Sequence, residues 1–150
     1  NCPGQIVITG EEDAINSAVE KLTEAGAKRC VTLKVSGPFH SPLLAGAGKK
    51  LAKELEQVTI GEIQVPYIAN VTADYVTDKE TVKGLLEKQV SSSVRWQQTI
   101  ERMIADGVDT FVEIGPGKTL SGFMRKINRE MKVYNVEKIE DLTKLEELIG

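Results

Sequence analysis

The sequence is short of histidine and cysteine, and that scarcity excludes several chemistries at once. A single histidine, His40, cannot assemble the three or four ligands of a dedicated zinc or iron centre. The two cysteines, Cys2 and Cys30, form neither a Cys-x-x-Cys pair nor a Cys/His cluster, so they supply no disulfide framework and no metal set. They read as small packing residues, suited to a reducing, cytoplasmic setting. No apolar run approaches the roughly 18 residues of a membrane-spanning helix, and no signal-peptide pattern is present. Excess charge is lacking too: a net charge of -3 and a pI near 5.3 give no broad basic field for nucleic acid or an anionic membrane. What is there is ordinary. With 41% apolar and 27% charged residues over 150 positions, the chain has the composition of a globular domain with a real core. No methionine opens it; Asn1-Cys2-Pro3-Gly4-Gln5 runs straight into a strand-like segment, which suggests the later part of a longer protein.

The pattern along the chain alternates strand and helix. Gln5 to Thr9 is rich in β-branched residues and predicts a short strand closed by Gly10. Ala14, Ile15, Ala18, Val19 and Leu22 recur at helical spacing between Glu11 and Gly26, with acidic residues at the start and glycine at the stop. Cys30 to Val35 alternates as a second strand. After a loop carrying Gly37 and Pro38, Ser41-Pro42 supplies an N-cap serine and a first-turn proline for a helix toward Leu55 and Val58. Val65 to Val71 predicts a strand, with Pro66 at its beginning or on an edge. Asp78 caps a helix through Leu86 and Gln89, and another runs from Trp96 to Gly107. Val108 to Ile114 predicts a strand, Gly115-Pro116-Gly117 a turn into a helix through Ile127, Val133 to Val136 a last strand, and Asp141 to Ile149 a closing helix. No internal repeat, low-complexity tract or linker interrupts this α/β order.

Several runs imitate functional motifs. Gly115-Pro116-Gly117-Lys118-Thr119 resembles the end of a phosphate-binding loop, but G-x-x-x-x-G-K-[ST] requires glycine where Val112 stands. The run reads instead as a tight strand-to-helix turn, with Pro116 starting the helix and glycine allowing close packing. Glu113 has no carboxylate partner at fixed spacing and reads as a capping or salt-bridge residue. Lys49-Lys50 and Glu146-Glu147 read as solvated helix faces, and Lys28-Arg29 as a basic pair in a turn that a phosphate or an acidic partner could use.

His40 is different because of its placement. It follows a strand and a Gly-Pro loop and directly precedes a helix start, the kind of loop on a rigid scaffold where catalytic groups concentrate. A histidine base still needs a nucleophile, and no Gly-x-Ser-x-Gly elbow occurs in the chain. Ser36 and Ser41 flank the ring too closely in sequence to face it, and Ser91-Ser92-Ser93 reads as a junction between helices.

Taken together, six runs in order resemble malonyl-CoA:acyl carrier protein transacylases of bacterial fatty acid synthesis. They are Asn1-x-Pro3-Gly4-Gln5-Ile6-Val7-Ile8-x-Gly10, Gly26-Ala27-Lys28-Arg29, Val35-Ser36-Gly37-Pro38-Phe39-His40-Ser41, Pro66-x-x-x-Asn70-Val71, Gln89-Val90-x-x-x-Val94-Arg95-Trp96 and Glu113-Ile114-Gly115-Pro116-Gly117-Lys118-x-Leu120-x-Gly122. Each is weak alone; the ordered set, reaching to about residue 127, is specific.

The resemblance implies the C-terminal half of such an enzyme, with the serine elbow, the malonyl-binding arginine and the oxyanion loop in a missing N-terminal half. It implies an α/β fold, part of an α/β-hydrolase-like core with the second half of a ferredoxin-like subdomain: residues 1–35 in the subdomain and 36–150 in the core. His40 matches the catalytic histidine, which accepts the serine proton and then activates the phosphopantetheine thiol of the carrier protein. Gln89 matches the residue whose backbone or side-chain oxygen orients the imidazole. Phe39 stands where related acyltransferases select malonyl over α-methylated units. Asn1 and Gln5 are expected to line the substrate cleft, and Lys28 and Arg29 to meet the carrier protein or CoA phosphates. No metal or redox cofactor is implied. The alternatives are a polyketide synthase acyltransferase domain, disfavoured by the lack of a linker after the closing helix, and a non-catalytic fragment or partner-binding domain.

Overall fold

The computed structural model describes residues 1–149, without the side chains of Lys144, Glu147, Leu148 and Ile149. The chain divides into two compact units, one of residues 7–94 and one of residues 1–6 with 95–150. Among the described residues, no helix is long and apolar enough to cross a membrane.

The unit of residues 7–94 begins with helix α1 (Glu12–Glu24). Glu12 and Asp13 complement its N-terminal dipole, and Gly26 at φ 92° ends it by donating its N–H to Thr23 O. None of its residues is buried, and Leu22 on its apolar stripe is 43% exposed. The segments on either side, predicted as strands, are not paired as strands. Gln5 makes one isolated bridge to Cys2, and Val31, Leu33 and Val35 are more than half exposed. Strand formation needs a neighbour to take the backbone N–H and C=O groups, and these runs have none within the described residues.

A turn of 3-10 helix (Pro42–Leu44) leads into α2 (Ala45–Leu55), which packs along α3 (Val82–Ser91). Gly48, buried in α2, makes the approach close: a β-carbon there would stand 2.9 Å from Glu87 O on α3. Between the two helices in sequence, the chain forms an antiparallel hairpin of β1 (Tyr67–Ala69) and β2 (Asp74–Val76). β1 starts just after Pro66, as predicted, but β2 has no counterpart in the sequence reading. Ala69, Val76 and Val82 form the core here, with Ile60, Ile63, Val71 and Leu85 packed against them. Asp78 caps the approach to α3, its carboxylate accepting from Glu80 N–H at 2.9 Å.

The other unit contains α4 (Trp96–Ala105), β3 (Thr110–Ile114), α5 (Thr119–Ile127), β4 (Lys132–Val136) and α6 (Ile139–Ile149). β3 and β4 pair in parallel from Thr110↔Lys132 to Ile114↔Val136, with α5 as the crossover. Ile100, Met124 and Val136 are buried in this unit. The architecture is α/β, with strand, helix and strand in alternation.

The β3–α5 turn corrects one expectation. Pro116 does not start the helix, which begins at Thr119. Gly117 has φ 85°, outside helical geometry, so the helix can start only beyond it. Nor does glycine serve close packing there, since a β-carbon on Gly115 or Gly117 would meet nothing within 4 Å. The glycines are required by backbone conformation.

Candidate functional site

His40 lies in the Gly37–Ser41 loop with φ 58°, a left-handed conformation that β-carbon crowding disfavours for any residue but glycine. Two local bonds close the loop around it. Phe39 N–H donates to Gly37 O at 2.9 Å, and the Ser41 hydroxyl donates to Pro38 O at 2.7 Å. Ser41 occupies the N-cap position before Pro42, as predicted, but makes no side-chain cap bond. Its one proton goes back to the loop, and Leu44 N–H is taken by the Ser41 main-chain carbonyl at 3.0 Å. With its hydroxyl committed and only 3% of its surface exposed, Ser41 is not a free nucleophile.

The imidazole is exposed, and its Nδ1 lies 3.0 Å from the main-chain oxygen of Gln89. A carbonyl can only accept, so Nδ1 carries the hydrogen and, in the neutral ring, Nε2 holds the basic lone pair. Gln89 can offer this oxygen because it lies in the last turn of α3, whose final carbonyls have no intrahelical partner. The fold thus joins two residues 49 positions apart in a directed pair. The oxygen that meets the imidazole belongs to the backbone rather than to the Gln89 side chain.

Phe39 is next to His40 and 51% exposed. Lys28 and Arg29 are exposed in the turn region after α1. Asn1 and Gln5 belong to the other unit, where the Gln5 amide oxygen takes a bond from Lys126 Nζ at 3.4 Å. Lys126 was absent from the sequence reading, and no sequence motif marks this contact. A depression lined by Thr72, Asp74, Thr77, Asp78 and Thr81 contains none of the expected site residues. Among the described residues, no three His, Cys, Asp or Glu side chains converge as metal ligands do.

Glu113, at the end of β3, is a structural clamp, as its capping assignment anticipated. Its carboxylate accepts from Leu120 N–H at 3.0 Å, Ser121 N–H at 2.8 Å, the Ser121 hydroxyl at 2.6 Å and Asn135 Nδ2 at 2.9 Å. Burial pushes the carboxyl up, but the bonds from Ser121, Leu120 and Asn135 outweigh it and bring the pKa from 4.5 down to about 2. Ser121 and Asn135, both unmarked in the sequence, thus tie β3, α5 and β4 together.

The sequence matches the acyl transferase domain family over residues 1–146. The chain belongs to that family. It is 47% identical over 142 residues to a malonyl CoA-acyl carrier protein transacylase of Bacillus subtilis, an alignment covering 95% of this chain and 45% of the relative. Among solved structures it is similar to MCAT from Streptococcus pneumoniae, with TM-score 0.88 and 44% identity over 93% of this chain and 46% of that one. It is also similar, with TM-score 0.86 and 34% identity over 92% of this chain and 45% of that one, to the structure of a type II PKS acyl-carrier protein in complex with its malonyl-transacylase. The chain therefore spans about half the length of the curated relatives it matches.

Proposed function

We propose that this chain is the histidine-bearing, C-terminal portion of an acyltransferase that moves malonyl from CoA to the thiol of acyl carrier protein. The observation that carries the reading is the His40–Gln89 pair: an exposed imidazole with Nδ1 bound to a main-chain carbonyl and Nε2 left as the basic nitrogen. The nucleophilic serine lies outside these residues. His40 takes the serine proton as the serine oxygen attacks the malonyl thioester; the new C–O bond replaces C–S, and the CoA sulfur leaves with that proton. In the second half His40 takes the proton of the phosphopantetheine thiol. Sulfur attacks the serine ester, C–S forms, C–O breaks, and the proton returns to serine. The Gln89 carbonyl keeps the ring in one tautomer throughout, a fixed dipole facing the charge the ring carries between the two transfers. No metal or redox group takes part in this scheme.

In this reading Phe39 fills the space beside the acyl α-carbon, Asn1 and Gln5 line the cleft, and Lys28 and Arg29 receive the acidic carrier protein or CoA phosphates. The finer fold is an α/β-hydrolase-like core, residues 36–150, with residues 1–35 completing a ferredoxin-like subdomain. Exposed apolar side chains support a larger assembly: Ile6 is 87% exposed, Val35 63% and Ile114 80%, and the rest of the enzyme would cover them. The setting is cytoplasmic, where CoA thioesters and carrier protein meet. In the full-length transacylase carrying this chain, His40→Ala should reduce malonyl transfer from CoA by about a thousandfold or more. Turnover near the wild-type rate would overturn the assignment.

A further inference from the structure

We propose that Ser41 is a positioning residue for His40, and that its hydroxyl sets the catalytic geometry by closing the loop over the left-handed histidine. The inference rests on the general-base role of His40 given above. The Ser41 Oγ to Pro38 O bond spans Phe39 and His40, so the closed ring contains the one residue of the loop held at positive φ. Such a conformation persists only where surrounding contacts over-determine it. The Ser41 backbone also carries the first bond of the 3-10 turn, through its carbonyl to Leu44 N–H, and that turn leads into α2. The same residue therefore fixes the loop on one side and joins it to a helix on the other. That helix packs on α3, which supplies the Gln89 carbonyl. Ser41 is 3% exposed, so alanine would remove the hydroxyl from a position that water does not readily enter, leaving Pro38 O without this donor. The freed loop would allow His40 to leave the left-handed region, and its ring would lose registry with Gln89 O.

The experiment compares Ser41→Ala, Ser41→Thr, Ser41→Cys and His40→Ala in the full-length transacylase, measuring kcat and KM for malonyl-CoA. Ser41→Ala should lower kcat by about tenfold with KM within about twofold, because orientation of the base is used in the chemical step and not in binding. Threonine keeps the hydroxyl and suits the extended backbone of residue 41, φ -125° and ψ 161°, so it should recover most of that loss. Cysteine, a weak donor of similar shape, should fall between the two and serves if the alanine variant does not fold. A kcat for Ser41→Ala within about twofold of wild type, a Ser41→Thr variant as slow as Ser41→Ala, or a Ser41→Cys variant as fast as wild type would each overturn the proposal. Full activity in His40→Ala would instead overturn the general-base reading on which it rests.

Discussion

Replacing Glu113 with glutamine should weaken the unit that contains β3, α5 and β4, and should also flatten its response to acid. The carboxylate accepts from two backbone N–H groups, one hydroxyl and one amide. Glutamine offers a single neutral oxygen and turns an N–H2 group toward one of those donors. The pKa of Glu113, lowered from 4.5 to about 2, corresponds by linkage to at most roughly 3 kcal/mol, and solvent access to this half-buried group brings the contribution to about 1–2 kcal/mol. The sign follows from the depressed folded pKa. The contribution is complete above pH 4.5, shrinks as pH falls, and is lost by about pH 2. Trp96 is the only tryptophan and lies on α4 of the same unit, so its fluorescence reports the relevant unfolding. In urea at pH 7, E113Q should unfold with its midpoint lowered by about 1 M. Between pH 5 and pH 2 the wild type should lose about 1–2 kcal/mol more than E113Q. Equal midpoints at pH 7, or parallel stability curves through the acid range, would refute the clamp.

Two glycines should respond to alanine with opposite signs. Gly117→Ala should lower the Tm through a cost of about 1 kcal/mol, because φ 85° disfavours a β-carbon although the space is open, whereas Gly84→Ala, in the first turn of α3 with open space around it, should stabilise by up to about 1 kcal/mol. Calorimetry of the pair checks both; the same sign in both would contradict the conformational explanation. Gly48→Val should destabilise by about 1–3 kcal/mol, since the new side chain meets Glu87 O at the α2–α3 contact, and an unchanged thermal midpoint would show that the helices can separate without cost.

The helices were the most legible part of the sequence because their signals are local. Ala14 to Leu22 carry the 3.6-residue period of α1, Asp78 marks the approach to α3, and Glu113, read as a capping or salt-bridge residue, takes the capping role with four donors. β2 was invisible because the left-handed residue of its hairpin turn is Ala73, φ 56°, a position where glycine or asparagine would have been the local signal. Gln5 to Thr9 and Cys30 to Val35 have the composition of strands, yet composition cannot provide the neighbour that a ladder requires. The sequence by itself determined the helix positions, the α/β alternation, the lone histidine on a Gly-Pro loop and the family motifs around it. Only the tertiary structure decided which oxygen meets that imidazole. A carbonyl left open at the end of α3 and a serine hydroxyl turned back into the loop are consequences of packing, which local sequence signals do not specify.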